Sequence, residues 1–201
     1  MSNSITAILF DFGGVLAEEG FRNGLQSLAS EQHLVVENMS EEGMRAVYDS
    51  GFVVGRGTAE DFWALLRQRT GLQGEDNQLT QRILEGFVVR PSMLKVVGEL
   101  NERGFLTGIL SDQTDWLDIL DAQYQIYNNF NHIFNSYYLG KGKQDPSLFS
   151  DVAAYLNLSP TEILFIDDDA GNVARARACG YRSLHYINQQ QFVTELEKML
   201  S

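Results

Sequence analysis

The 201-residue sequence has little cysteine, little proline and no cluster of basic residues. Its single cysteine, Cys179, excludes a disulfide within the chain, which suits a reducing compartment. Only 3 prolines occur in a chain that is 44% hydrophobic, and this composition predicts a globular fold. The first residues show neither a basic leader nor a long apolar run. We therefore expect a cytoplasmic protein without a signal peptide or a transmembrane helix.

The shortage of basic residues also restricts the partners of the protein. The chain has 15 lysines and arginines against 27 acidic residues, which gives a formal net charge of -12. Nucleic acids and anionic membrane surfaces are bound through basic patches, so we expect neither as a partner. The oligomeric state stays open.

The sequence does contain a run of three consecutive carboxylates behind a short apolar segment. Residues 163–166 predict a buried strand, and Asp167, Asp168 and Asp169 follow where that strand stops. In an open α/β sheet, ligands bind beyond the carboxyl ends of the strands, where acidic side chains can hold a hard cation. One aspartate would suffice to cap the helix that follows. Three of them favour a metal site.

A second apolar strand has the same ending. Residues 5–10 predict a strand that stops at Asp11 and continues into two glycines. If the two strands are neighbours in a parallel sheet, Asp11 converges with Asp167 and Asp168 on one point. Carboxylates that meet there repel each other unless a cation lies between them or one stays protonated.

The segment after the first strand is predicted to be helical throughout. Apolar residues at helical spacing indicate helices that begin near Phe21, Ser40, Thr58 and Leu79. Ser40 is the expected N-cap of the second helix, and Thr58 opens a sequence close to a capping box. No strand pattern interrupts residues 17–87, which we interpret as an all-helical insertion.

From Pro91 onward, helices and strands alternate. Strands are predicted at residues 105–110, 132–136, 163–166 and 182–187, with helices between them. Short connections between alternating elements imply a parallel sheet covered on both faces. The predicted fold class is therefore α/β, a doubly wound parallel sheet formed by residues 1–16 and 88–201, with the helical insertion after strand 1.

Four polar groups stand at the ends of successive strand units, namely Asp11, Ser111, Lys143 and the Asp167/Asp168 pair. A carboxylate can attack phosphorus or an alkyl carbon and form a covalent intermediate. A hydroxyl and an ammonium can hold phosphoryl oxygens while Mg²⁺ on carboxylates neutralises charge. This set of groups therefore has the composition of a catalytic site.

With these motifs the sequence resembles the haloacid dehalogenase-like (HAD) hydrolase superfamily. The matching segments are Ile-Leu-Phe-Asp-Phe-Gly-Gly-Val-Leu at 8–16, Gly-Ile-Leu-Ser-Asp at 108–112, Lys-Gln-Asp-Pro-Ser-Leu-Phe at 143–149 and Phe-Ile-Asp-Asp-Asp-Ala-Gly-Asn-Val at 165–173. Each motif alone is weak, but four in order over nearly the whole chain are strong. The resemblance implies a Rossmann-like core and a helical cap, at residues 17–87, that closes over the site and selects the substrate.

The resemblance also implies a magnesium site. Asp11 would be both the nucleophile and a metal ligand, and Gly13 would offer its backbone carbonyl to Mg²⁺. Asp168 would be the acidic metal ligand, while Asp167 and Asn172 would support the lysine and the water shell of the metal.

The phosphoryl group would be bound by Ser111 and Lys143, with Asp112 beside them where some relatives have asparagine. Each assignment has an ordinary alternative. Ser111 could be a helix cap, because a helix is predicted close by, and Lys143 could be a solvated loop lysine like its neighbour Lys141. Gln144 also departs from the proline that many relatives have after the lysine.

Gly13 is the departure that matters most. Most phosphatases of this superfamily have a second aspartate two residues after the nucleophile, and it protonates the leaving oxygen. Such general acid help is typically worth ~10²- to 10⁴-fold, so its loss should slow hydrolysis without abolishing phosphoryl binding. Asp-x-Gly first motifs occur in a branch that resembles sugar-phosphate phosphatases and the phosphatase domains of epoxide hydrolase-like proteins. Glu18 or Glu19 could supply a replacement acid.

The prediction is a Mg²⁺-dependent phosphomonoester hydrolase that acts through an aspartyl-phosphate on a small metabolite, with a sugar phosphate as the first candidate. One alternative is a metal-independent 2-haloacid dehalogenase, because halide leaves without a general acid, although the acidic cluster is a poor setting for an anionic haloacid. Another is a catalytically weakened protein that binds a phosphorylated ligand.

Overall fold

The computed structural model describes residues 4–201, except for the side chains of residues 36 and 37. The first three residues, which contributed to the expectation of no signal peptide, lie outside this range. Five parallel strands form one sheet in the order β3-β2-β1-β4-β5. Their bounds are β1 Ala7–Phe10, β2 Leu106–Ser111, β3 His132–Asn135, β4 Ile163–Asp167 and β5 Arg182–His185.

The central strand, β1, sets the position of the site. Phe10 stands opposite Ile109 of β2 and Ile166 of β4, so the residue after β1 lies level with the ends of both neighbours. The amide of that residue, Asp11, donates to the carbonyl of Ile166 at 2.8 Å. The register thus brings together residues from distant parts of the chain at one edge of the sheet.

Helices cover both faces of the sheet. Their bounds are α1 Gly20–Glu31, α2 Val36–Asp49, α3 Ala59–Thr70, α4 Asp76–Glu85, α5 Pro91–Glu102, α6 Trp116–Tyr124, α7 Ser136–Leu139, α8 Ser147–Leu156, α9 Ala170–Ala178 and α10 Gln189–Leu200. Alternate residues of β1 point to opposite faces, with Ile8 and Phe10 packing with α5, α6 and α10, and Ala7 and Leu9 with α8 and α9. The predicted doubly wound α/β fold is confirmed. None of the helices in residues 4–201 is both long and apolar enough to cross a membrane.

The segment between β1 and α5 folds as α1 to α4 and a short 3₁₀ turn, as predicted for the insertion. Three of its buried aromatic residues join the main core through Trp116 of α6. The ring centroids of Phe52, Phe62 and Trp63 lie 5.4, 5.9 and 5.8 Å from that of Trp116. The insertion and the sheet therefore share one apolar cluster.

The expected N-cap at Ser40 is wrong. Helix α2 begins at Val36, and its cap position, Val35, makes no side-chain capping bond. Met39, only 1% exposed, lies in the added turn, so burial of apolar surface there outweighs the missing cap. The capping box at Thr58 is confirmed, because Thr58 accepts from the amide of Asp61 at 3.2 Å and Asp61 accepts from the amide of Thr58 at 2.9 Å.

Candidate active site

Asp11 is held through both carboxylate oxygens, one by hydrogen bonds and the other by an ion pair. Its Oδ1 accepts from the amide of Phe12 at 2.7 Å and from the hydroxyl of Ser111 at 2.5 Å. Its Oδ2 lies 2.9 Å from Nζ of Lys143. Ser111 is not a helix cap, because α6 begins only at Trp116. These contacts hold the carboxylate in one orientation at the base of a cavity of about 410 Å³.

Lys143 is buried between two carboxylates and is only 2% exposed. Its Nζ lies 2.9 Å from Asp11 and 2.6 Å from Asp167. Burial alone would lower the pKa of Lys143, but the charges of Asp11 and Asp167 outweigh it and raise the pKa above its ordinary value. Lys141, two residues earlier, pairs instead with the exposed Asp151 at 2.6 Å. The solvated-loop description therefore fits Lys141 and not Lys143.

The three consecutive aspartates have three different environments. Asp167 is fully buried and accepts from Lys143 at 2.6 Å and from the side-chain amide of Asn172 at 3.1 Å. Burial, together with the charge of Asp11, raises the pKa of Asp167. Asp169 is the N-cap of α9 and accepts from the amide of Asn172 at 2.8 Å. Asp168 remains exposed at the cavity. Within this run, Asp169 therefore caps the helix, whereas Asp168 is the residue that faces the predicted metal site.

Carboxylate oxygens of Asp11, Asp167 and Asp168 all lie within 4.8 Å of one another. An all-oxygen donor set of this kind suits Mg²⁺. Asp167 is fully buried, whereas Asp11 and Asp168 line the cavity, so Asp11 and Asp168 are the residues that could reach a cation there. Partial burial at the cavity, helped by the charge of Asp11, raises the pKa of Asp168.

Gly14 makes room for Asp168. A Cβ on this residue would lie 2.1 Å from Oδ2 of Asp168, and its φ of +78° belongs to the left-handed region that favours glycine. Glycine is therefore required at residue 14, after β1, because the side chain of Asp168, after β4, lies where a Cβ would be. No such requirement applies at Gly13, where an added Cβ would find ordinary contacts of 3.5 Å or more.

Asp112 links the helical insertion to the lysine loop. Its Oδ1 accepts from the amide of Lys143 at 2.9 Å, and its Oδ2 accepts from the hydroxyl of Tyr48 in α2 at 2.8 Å. Burial and the nearby charge of Asp112 raise the pKa of Tyr48. Asp112 also lines the cavity, where it was predicted to contact the substrate.

The two candidate replacement acids point in different directions. Glu18 makes two 3.0 Å contacts with the guanidinium of Arg90, and the hydrogen bond to Arg90 lowers the pKa of Glu18. Glu19 is the N-cap of α1 and lines the cavity together with Asp11. Burial, with smaller effects from Asp11 and Asp168, raises the pKa of Glu19. The structure therefore favours Glu19 over Glu18.

Sequence analysis missed two residues that hold the site together. Tyr48 gave no signal, because its partner Asp112 is 64 positions away. Arg175 donates from Nε to the carbonyl of Lys143 at 3.0 Å and also contacts the side chain of Asn172. The spacing of Asn172 and Arg175, one helical turn, was the signal that could have indicated this second residue.

The fold and the site together define an α/β enzyme with an aspartate at the end of the central strand, next to a buried lysine and an acidic cluster. The chain belongs to the haloacid dehalogenase-like hydrolase family, whose model matches residues 5–180. The predicted resemblance to this family is thereby confirmed.

Relatives with assigned activities include two kinds of enzyme. The chain is 24% identical over 204 residues to sesquiterpene phosphatase astK of Aspergillus oryzae, covering 100% of this chain and 99% of the relative. It is 29% identical over 125 residues to bifunctional epoxide hydrolase 2 of Rattus norvegicus, covering 60% of this chain. That match spans only 22% of the rat enzyme, so the chain corresponds to less than a quarter of it.

Solved structures of the same fold include enzymes of different chemistry. A HAD family enzyme from Bacteroides thetaiotaomicron, in complex with magnesium and inorganic phosphate, superimposes with a TM-score of 0.72 at 20% identity, covering 90% of this chain and 94% of its own. The L-2-haloacid dehalogenase from Xanthobacter autotrophicus gives 0.67 at 18% identity, covering 96% of this chain and 83% of its own. At such identities the likeness shows the fold and leaves the reaction to be argued from the site.

Proposed function

We propose that the protein is a Mg²⁺-dependent phosphomonoester hydrolase that acts on a small metabolite through an aspartyl-phosphate on Asp11. The observation that carries this proposal is the cluster of Asp11, Asp167 and Asp168 beside the single ammonium of Lys143. Three carboxylates against one ammonium leave two negative charges in excess, and one divalent cation would neutralise them. A phosphoryl group could then bind, which the cluster alone would repel.

Each residue at the base of the cavity has a proposed role. The carboxylate of Asp11, whose orientation is already fixed by its contacts, attacks phosphorus. Ser111 and Lys143 hold the phosphoryl oxygens, and Asp167 and Asn172 keep the lysine in place through their hydrogen bonds.

Magnesium would be held by Asp11, Asp168 and the backbone carbonyl of Gly13. When bound, it would supply positive charge for the phosphoryl group. Asp112 stays at the cavity wall as a proposed substrate contact, and it also fixes the lysine loop through its bond to the amide of Lys143.

The helices inserted after β1 are the proposed cap. We take residues 17–87 as this cap and residues 1–16 and 88–201 as the core. Support comes from the cavity wall, to which the insertion contributes Phe21, Arg22, Met44, Val47 and Tyr48. A sugar phosphate remains the first substrate class. The apolar members of this wall and the similarity to a sesquiterpene phosphatase argue for testing alkyl phosphates as well.

The test is phosphate release from a panel of sugar, aryl and alkyl phosphates, with Mg²⁺ and with EDTA, for the native chain and Asp11→Asn. We expect release that requires Mg²⁺ and disappears in the variant, because the amide cannot attack phosphorus. Halide release from 2-haloacids that survives EDTA would instead support the dehalogenase. Tight binding of an ester without any release would support a phospho-ligand-binding protein.

A further inference from the structure

The proposed hydrolysis, on which this inference rests, needs a proton donor when the ester comes from an alkyl alcohol. An alkoxide is a poor leaving group, so its oxygen must receive a proton as the bond to phosphorus breaks. Most acidic groups of the cavity are already engaged. Asp11 bonds to Lys143, Asp112 accepts from Tyr48, Asp169 caps α9, and Asp168 is the proposed Mg²⁺ ligand. Among the described residues that line the cavity there is no histidine.

Glu19 is the carboxyl group that remains. Its Oε1 accepts from the amide of Arg22 at 3.3 Å, which fixes the side chain at the start of α1. Its Oε2 lies 3.5 Å from the point that a Cβ on Gly13 would occupy, two residues beyond Asp11. An oxygen of Glu19 therefore stands beside the backbone that follows the nucleophile, on the side of the cavity formed by the insertion.

We infer that Glu19 is the general acid of this enzyme, which protonates the leaving oxygen and then activates the water that hydrolyses the intermediate. In the first step the carboxylate of Asp11 forms a bond to phosphorus, and the bond from phosphorus to the ester oxygen breaks. The proton of the Glu19 carboxyl group goes to that oxygen, which leaves as an alcohol. Glu19 is then a carboxylate.

The second step returns every group to its starting state. The Glu19 carboxylate takes a proton from a water molecule as the water oxygen attacks phosphorus. The bond between phosphorus and Asp11 breaks, and phosphate is released. Asp11 is again a carboxylate and Glu19 again carries its proton, so the net reaction consumes one ester and one water.

Gly13 offers an internal check, because a Cβ added there meets only ordinary contacts. The nearest atoms to an added Cβ are Oε2 of Glu19 at 3.5 Å, Nε2 of Gln113 at 3.7 Å and a ring carbon of Phe87 at 3.7 Å, and the backbone is not in the left-handed region. Because Oε2 of Glu19 is the nearest of these atoms, a side chain introduced at residue 13 would begin beside Glu19.

The experiment compares two esters that differ in their need for a proton. With p-nitrophenyl phosphate the leaving group is stable as an anion, whereas with ethyl phosphate it is not. We expect Glu19→Gln to slow the first turnover of ethyl phosphate by ~10²- to 10⁴-fold and that of p-nitrophenyl phosphate by less than ~10-fold. The variant should still release a burst of p-nitrophenol, because only the later hydrolysis of the intermediate needs Glu19.

Two further variants make the result specific. Glu18→Gln is the matched control and should match the native rates with both esters, since Glu18 faces Arg90. Adding Gly13→Asp to Glu19→Gln should restore part of the ethyl phosphate rate. The glutamine oxygen can still accept from the amide of Arg22, so unfolding by heat should be unchanged.

The outcomes separate this inference from the function on which it rests. An equal loss with both esters, or no loss with ethyl phosphate, would overturn the role of Glu19 while the hydrolase proposal stands. If the native chain releases phosphate from neither ester nor from any other member of the panel, the proposed function fails and this inference fails with it.

Discussion

Charged side chains at the base of the cavity are buried, whereas the ion pair next to its rim is partly exposed to solvent. At the base, Asp11, Lys143 and Asp167 are buried, and the lysine contacts both carboxylates within 2.9 Å. Next to the rim, but outside the cavity wall, Glu18 pairs with Arg90 at 3.0 Å, and 49% of the Glu18 side chain stays exposed. Buried charges that lose a partner are left without solvation, whereas exposed ones exchange the partner for water. The loss of an ion pair should therefore destabilise the fold much more at the base than at Glu18.

This difference also separates two tasks. The base holds charges whose positions hardly depend on solvent, which is what binding and attack at phosphorus require. The rim contains Glu19, Tyr48 and Asp112, at the point where the insertion meets the core. Changes at the base should affect both folding and every substrate, and changes at the rim should affect substrates selectively.

The strongest way to test this contrast is Lys143→Met. Two buried carboxylates would lose their shared cation, and we expect a loss of about 3–5 kcal/mol in the free energy of unfolding. Phosphate release should fall by at least ~10²-fold, as for removal of one group that stabilises transition-state charge. Urea unfolding and the ester panel measure the two effects.

Lys141→Met is the matched control for that change. Its ammonium pairs with the exposed Asp151, so both stability and activity should equal those of the native chain. If the two methionine variants were equally stable, Lys143 would not be the buried, doubly paired cation that the contrast requires.

The next effect in size is expected for Gly14→Ala. The new methyl group would displace Asp168, because its Cβ would lie 2.1 Å from Oδ2. We expect Mg²⁺-dependent phosphate release to fall by ~10-fold or more, with weaker Mg²⁺ binding in calorimetry, and backbone strain of about 1 kcal/mol in unfolding. Gly140→Ala shares the positive φ, +71°, but has nothing within 4 Å of the added Cβ. Equal activity of the two variants would show that Asp168 does not depend on Gly14.

The base of the site could largely be predicted from the sequence. Apolar strands that stop at polar residues fix where Asp11, Ser111 and Asp167 lie along the chain, and parallel pairing brings strand ends to one edge. The fold class followed from the same alternation of strands and helices. These features are local in sequence or follow from general rules of sheet topology, so a single chain is enough to infer them.

The rim could not be predicted in the same way. Glu18 and Glu19 are adjacent in a loop without periodicity, so nothing in the sequence indicates that one faces Arg90 and the other the cavity. The bond between Tyr48 and Asp112 depends on how α2 packs against the core. The start of α2 was also misplaced, because burial of Met39 outweighed the capping signal at Ser40.

A smaller effect is expected for Tyr48→Phe at the rim. The hydroxyl donates to Asp112 at 2.8 Å, and Asp112 keeps its bond to the amide of Lys143 when the hydroxyl is lost. We expect KM to rise by about 3- to 10-fold with kcat nearly unchanged, corresponding to about 1 kcal/mol for one hydrogen bond. Tyr155→Phe, at an exposed residue of α8, is the control and should change neither constant. A fall in kcat without a change in KM would place Tyr48 in the chemical step.

The smallest effect belongs to Glu18→Gln and depends on pH. The hydrogen bond to Arg90 lowers the pKa of Glu18 in the folded state, so the pair stabilises the fold above the ordinary glutamate pKa of 4.5 and loses this contribution as the pH falls through the folded value. At neutral pH and low salt, urea unfolding should show a loss of less than about 1 kcal/mol, and salt should reduce it further. Below the folded pKa the variant and the native chain should be equally stable. Arg90 also donates to the carbonyls of Gly14 and Val15, at 2.5 and 3.0 Å, so it should stay in place. A loss in the free energy of unfolding as large as that of Lys143→Met would contradict the distinction between buried charges at the base and exposed charges near the rim.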